Sequence, residues 1–219
     1  FHVTGVQTCA LPIYGWVPPP ELVSVAAASG LSETLLRATL SKVCRLSKAI
    51  EAQCGQRIPI AINLSPREMA QVAIDQLLLS TLQACKLEPG LLTVEITEEV
   101  ALDVVAVQGK LANMAKAGVA IALDDFGVGY SGLGALRQLG AACVKVDRSF
   151  ITDIARAPRN QDLMRAVLNL GRSFGFEVVA EGVEHEADRQ TLIGIGCHAM
   201  QGYLLARPMP EAELLTWLQ

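Results

Sequence analysis

From Gly15 to its end, the chain alternates between a short apolar run and a longer segment whose apolar residues recur at three- and four-residue spacing. The short runs are residues 58–64, 91–96, 119–123, 142–146, 177–180 and 199–205. They are rich in Val, Ile, Leu and Ala, which suits strands buried on both faces of a parallel sheet. Between them, residues 67–86, 100–117, 160–175 and 186–195 read as helices, and Leu163, Val167 and Leu170 form one apolar stripe. Gly118 and Gly175 follow such stretches and mark helix stops. Residues 20–28 and 31–49 read as two helices ahead of the first strand, and residues 211–218 as a last one. Strand and helix in repeated alternation predict a parallel α/β fold. An open doubly wound sheet and a (β/α) barrel share this pattern, and periodicity alone does not choose between them.

Composition narrows the function classes. The 219 residues suffice for one large domain, and at 51% hydrophobic they provide for a sizeable core. The net charge of −4 gives no basic surface for a nucleic-acid backbone. Positive charge for a phosphate-bearing substrate would have to come from local groups or bound metal ions. The six cysteines, at positions 9, 44, 54, 85, 143 and 197, form no CxxC pair and sit mostly in apolar runs. They read as buried free thiols in a reducing, cytoplasmic compartment. No apolar run reaches the ~18 residues of a membrane span. Residues 1–13, FHVTGVQTCALPI, have no helix or strand period, and residues 3–13 resemble an in-frame translation of a sequencing-library adapter. They are set apart as an artefactual or disordered leader, with residues 14–219 as the domain.

The apolar runs end in residues suited to metal or phosphate chemistry. Asn63 closes IAIN, Glu95 lies in VEITEE, and Asp124 and Asp125 close IALDD. Lys145 and Asp147 lie in VKVD, Glu181 closes VVAE, and Gln201 lies in MQGY. In a barrel the C-terminal strand ends ring one mouth, where these side chains would converge. In an open sheet they would spread along an edge. The convergent chemistry therefore favours the barrel. Carboxylates and an amide oxygen are hard ligands that suit Mg²⁺ or Mn²⁺, whereas the three scattered histidines and the absence of HExxH argue against zinc. Neighbours on a regular strand point to opposite faces, so Asp124 and Asp125 are expected to reach one site only if the strand has already ended. Two adjacent carboxylates can hold two cations, the clamp used in phosphate-ester hydrolysis.

Each residue also has a plainer reading. Asn63, ahead of Ser65-Pro66, could cap a helix. Glu98 and Glu99 could be first-turn acids favoured by the helix dipole. Asp147 could pair on the surface with Lys145 or Arg148. Lys145 is the hardest to explain in this way, because a lysine inside an apolar strand needs a carboxylate partner or a functional reason.

The segments INLSP (62–66), VEITEE (94–99), LDDFGVGYSGL (123–133), VKVDRSFI (144–151), VVAEGVE (178–184) and QGYLLARPMP (201–210) together resemble the EAL-domain family of cyclic di-GMP phosphodiesterases. The resemblance runs from about Gly15 to the C-terminus and implies an α/β fold of the EAL-type TIM-like (β/α) barrel. It implies that Asn63, Glu95 and Asp124 ligate a first metal, and that Asp124 bridges to a second metal completed by Asp125. It also implies that Lys145 binds the nucleophilic water or the phosphate, that Glu181 orients the water or acts as base, and that Gln201 lies near the substrate and its water. Asp147 is expected to contact substrate, and Glu98 to anchor the loop 127–131. The implied reaction is hydrolysis of cyclic di-GMP to linear pGpG with two Mg²⁺ or Mn²⁺ ions. The implied partners are cyclic di-GMP, a second copy in a homodimer, and upstream sensory or cyclase domains, through which the parent protein could be membrane-tethered.

Two features depart from the family pattern. The signature Glu-Ala-Leu near the end of the second strand is absent, and residues 15–25 already match the segment after it. The resemblance therefore implies a domain lacking its first two strands, one metal-binding glutamate and a nearby substrate arginine, with impaired stability and activity. The loop reads GVGYSGL where the family more often has threonine and a second serine. Two rival readings are a non-catalytic cyclic di-GMP receptor, which would usually have lost catalytic carboxylates, and another divalent-metal barrel enzyme such as an aldolase or enolase-like protein.

Overall fold

The computed structural model describes residues 19–71, 73–97, 104–129 and 139–219. The elements are α1 (Pro19–Ala28), α2 (Ser32–Cys54), β1 (Ile60–Leu64), α3 (Pro66–Gln71), α4 (Ile74–Cys85), β2 (Leu92–Thr97), α5 (Val104–Lys116) and β3 (Ala120–Phe126). They continue with β4 (Cys143–Val146), α6 (Arg148–Ile151), α7 (Pro158–Phe174), β5 (Glu177–Ala180), α8 (Glu186–Gly194), β6 (Ala199–Met200) and α9 (Glu211–Trp217). Among β3, β4, β5 and β6 strand order follows chain order. The described residues form two compact units, one from those within 19–94, 109–119 and 208–219 and the other from those within 95–108 and 120–207.

The first unit is built on α2. Leu36, Leu40, Val43, Leu46 and Ile50 recur at three- and four-residue spacing and are buried, which gives the helix one apolar stripe. Helices α1, α4 and α9 pack against it, and α4 contributes Ile74, Leu78 and Leu82. The helix expected over 67–86 is divided into α3 and α4, because Ala73 at ψ 63° leaves the helical region. Helix α3 begins with a capping box. Ser65 donates from its amide and hydroxyl to Glu68 Oε2 at 2.8 and 2.6 Å, and the Glu68 amide donates back to Ser65 Oγ.

In the second unit, β3, β4, β5 and β6 pair in parallel. Their apolar residues are buried, with Ile121, Leu123, Val144, Val146 and Ala180 no more than 1% exposed. Helix α7 covers β5 with Met164, Val167, Leu168 and Gly171. This corrects the expected stripe: Leu163 is exposed and Leu170 half-buried, so the inward face is rotated by about one residue. Gly175, at φ 82°, ends α7 and returns its amide to the Gly171 carbonyl. The run expected as a strand over 199–205 is extended only at Ala199–Met200. Beyond it the Leu205 and Ala206 amides turn back to the Gly202 carbonyl. No described helix is long and apolar enough to cross a membrane. Among the described residues Cys44, Cys54, Cys85, Cys143 and Cys197 are free thiols, with Cys44 and Cys197 buried.

Candidate active site

The site grows from an irregularity in β3. Leu123 pairs with Val144 and Phe126 with Val146, so three steps along β3 match two along β4. The extra residue is a β-bulge, and it falls on Asp124–Asp125. The strand therefore does not end before the aspartates, as the alternation of a regular strand had led us to expect. It runs on to Phe126, and the bulge re-aims the pair instead. Asp125 takes the left-handed conformation, φ 54°, and its amide donates to Asp124 Oδ1 at 3.1 Å. Aspartate tolerates that region better than most residues.

Opposite the bulge, the middle of β4 presents Lys145, 4% exposed. Its ammonium lies 2.7 Å from Glu181 Oε1, 3.0 Å from Asp124 Oδ1 and 3.2 Å from Glu95 Oε2. The buried lysine thus has three carboxylate partners, delivered by β2, by the bulge of β3 and by the residue after β5. Burial works against its charge, but Glu95, Glu181 and Asp124 outweigh that and hold the ammonium well above the usual lysine range.

One ammonium cannot neutralise this many acids. Asp125 brings a fourth, and carboxylate oxygens of Asp124, Asp125 and Glu181 lie within 4.8 Å of one another. The surplus appears at Glu181, where burial, reinforced by Asp124 and Glu95 and opposed by Lys145, pushes the carboxyl up to about 7. Asp125 is raised too, first by burial and then by Asp124 and Asp147. An all-oxygen donor set with uncompensated negative charge fits a hard divalent cation, and its carboxylates match Mg²⁺ or Mn²⁺ better than zinc.

The other expected site residues are distributed as follows. Gln201 lies just past β6, half-buried, with its amide bonded to the Ala180 carbonyl at 2.8 Å and its carbonyl accepting from Val183. Asp147 caps α6: its carboxylate accepts from the Ser149 amide at 2.9 Å. Burial opposes ionisation of Asp147, but the hydrogen bonds from Ser149 and Arg148 prevail and hold it below the usual range. Asn63 is an exposed position on β1 in the first unit, and Ser65 rather than Asn63 caps the helix that follows. Glu98 and Glu99 lie outside the described residues, as do residues 130 and 131 of the loop that Glu98 was expected to anchor. Sequence reasoning missed the tight backbone contacts behind these side chains. Their only sequence signal is the glycine that follows both Glu181 and Gln201.

Comparison with known proteins agrees with this architecture. The EAL domain family matches residues 10–208. The bifunctional diguanylate cyclase/cyclic di-GMP phosphodiesterase MucR of Pseudomonas aeruginosa is 35% identical over 206 residues, covering 94% of this chain and 30% of its own length. The cyclic di-GMP phosphodiesterase PA2567 of the same organism is 36% identical over 223 residues, covering 99% of this chain and 37% of its own length. The chain thus spans about a third of the length of these curated relatives. A solved structure described as the PaMucR phosphodiesterase in complex with c-di-GMP superposes with a TM-score of 0.83 at 35% identity, over 91% of this chain and 87% of that one. The α/β fold is that of the EAL domains, which are TIM-like barrels, and the chain belongs to the EAL domain family.

Proposed function

We propose that the chain is a metal-dependent phosphodiesterase domain that hydrolyses cyclic di-GMP to linear pGpG. The observation that carries this is the Lys145 cluster: Glu95, Asp124 and Glu181 within 3.2 Å of one buried ammonium, with Asp125 alongside. Relatives named as cyclic di-GMP phosphodiesterases support the choice of substrate.

Glu95 and Asp124 would hold one Mg²⁺ or Mn²⁺, and Asp124 and Asp125 a second. When bound, the two ions supply Lewis-acid activation of water and charge neutralisation at the phosphodiester. The remaining work falls to side chains of this chain. Lys145 donates hydrogen bonds to the attacking water or to a phosphate oxygen. Glu181, held 2.7 Å from Lys145, takes the water's proton. Gln201 and Asp147 orient substrate at the rim. In the whole protein, sensory or cyclase domains would accompany this one, as the double activity in the name of MucR suggests.

The test is cyclic di-GMP turnover, read by chromatography of pGpG in Mn²⁺ and in chelator. It uses this chain beside a version extended at its N-terminus to supply the Glu-Ala-Leu signature. We expect Mn²⁺-dependent product, more from the extended version. Tight binding without turnover by either would favour the receptor reading. Neither turnover nor binding by folded protein would reject cyclic di-GMP as the ligand.

A further inference from the structure

In the second unit, successive strand-end loops meet at glycines that leave no room for a side chain. A Cβ on Gly127 would stand 2.6 Å from Phe150 Cε2. One on Gly182 would stand 2.5 Å from Arg148 Cβ and 3.3 Å from its Cα. One on Gly202 would stand 2.2 Å and 2.3 Å from the oxygen and nitrogen of Val183. The contacts join the loop after β3 to α6, α6 to the loop after β5, and that loop to the one after β6. Backbone hydrogen bonds run along the same path: Asp147 N to Phe126 O at 3.3 Å, Glu181 N to Val146 O at 3.1 Å, Val183 N to Gln201 O at 3.0 Å and Leu204 N to Val183 O at 3.1 Å.

Each contact abuts the site. Gly127 is two residues past Asp125, Gly182 follows Glu181, and Gly202 follows Gln201. Arg148 follows Asp147 and lies three residues past Lys145. Gly182 is therefore the spacer between the segment after β5, which begins with Glu181, and α6, which follows the strand that carries Lys145. Its φ of +71° is itself strained for a residue with a Cβ, so alanine there would meet that strain as well as Arg148. Of the two obstacles, Arg148 is the one a second substitution can remove.

We propose that Gly182 is a positioning residue, whose bare backbone seats against Arg148 and sets the 2.7 Å approach of Glu181 to Lys145. Gly127 and Gly202 set the neighbouring loops in the same way. The proposal deepens the reading of the cluster as a phosphodiester-hydrolysing centre and rests on it. A displacement of about 1 Å at such a centre is enough to cost on the order of a hundredfold in rate.

The test compares Gly182→Ala, Arg148→Gly and the double variant. Three readouts are taken: kcat and KM for cyclic di-GMP in Mn²⁺, Mn²⁺ affinity by electron paramagnetic resonance, and urea stability. Gly182→Ala is expected to lower kcat about 10- to 100-fold with KM little changed. The double variant, in which the obstructing Cβ is gone but the backbone strain remains, is expected to regain part of that kcat while being no more stable than either single variant. A purely structural role would make activity follow stability and leave the double variant worst. Wild-type kcat in Gly182→Ala, or a double variant as slow as Gly182→Ala, overturns the proposal. So does a double variant that fails to fold. If the wild type binds Mn²⁺ but does not turn over cyclic di-GMP, the functional reading fails and the positioning claim is judged on Mn²⁺ affinity. Weakening in Gly182→Ala with recovery in the double variant supports it, and unchanged affinity overturns it.

Discussion

Replacing Lys145 with methionine keeps the volume of the side chain and removes its charge. Three carboxylates now 2.7 to 3.2 Å from the ammonium would then face one another in a pocket where Lys145 itself is 4% exposed. Removing one partner of a buried ion pair costs about 3–5 kcal/mol, because the charges left behind are uncompensated. We expect that loss in chelator at pH 8, read as a lower urea midpoint with unchanged slope. The penalty belongs to ionised acids, so it is present above the ordinary carboxylate range and disappears as pH falls and the acids take up protons. A divalent cation should stabilise the variant more than the wild type, because the emptied pocket carries one more unit of negative charge. Equal stability of the two proteins in chelator at pH 8 would refute the claim that Lys145 is the counterion of the cluster. An equal cation increment would refute the claim that cation and lysine answer the same surplus charge.

Two further predictions follow from the same structure. Glu181 is raised to about 7 in the folded protein, against about 4.3 for an unperturbed glutamate. Its contribution to stability is therefore fully present below the unfolded value and is lost as pH rises from about 4.3 to 7. The metal-free protein should lose about 4 kcal/mol over that window by urea denaturation, and Glu181→Gln should flatten the profile. Two helical glycines should respond oppositely to alanine. On Gly171 a Cβ would meet the Phe176 carbonyl oxygen at 2.8 Å and Val178 Cγ2 at 2.9 Å, so Gly171→Ala should cost about 1–3 kcal/mol. On Gly109 nothing lies within 4 Å, so Gly109→Ala should gain about 0.5–1 kcal/mol, both read by thermal denaturation.

What the sequence made legible was what period and polarity encode locally. Strand positions emerged because Val, Ile, Leu and Ala cluster in short runs. Glu95, Asp124, Lys145 and Glu181 stood out because polar residues interrupt or close those runs. The partners of Lys145 could be anticipated in kind, since a buried ammonium requires carboxylates. The bulge could not, because pairing register is a relation between β3 and β4 that neither segment states alone. Nor could the rotation of the α7 stripe to Met164, Val167, Leu168 and Gly171, where an interior glycine, invisible to a search for apolar side chains, faces β5. The Ser65–Glu68 cap was legible as S-x-x-E and was passed over for Asn63, which precedes it.

The bulge in β3 also bears on how this family's sequences can drift. What brings Asp124 and Asp125 to one side is a count of residues, three against two. Substitution can alter either aspartate while leaving the count intact. A single-residue deletion here would restore regular alternation, giving a more orderly strand that turns one of the two carboxylates away. Scanning mutagenesis, which changes identity and preserves length, is blind to this constraint, whereas an insertion-and-deletion scan would find it. The number of residues between Leu123 and Phe126 is therefore as much a part of the site as the acids themselves.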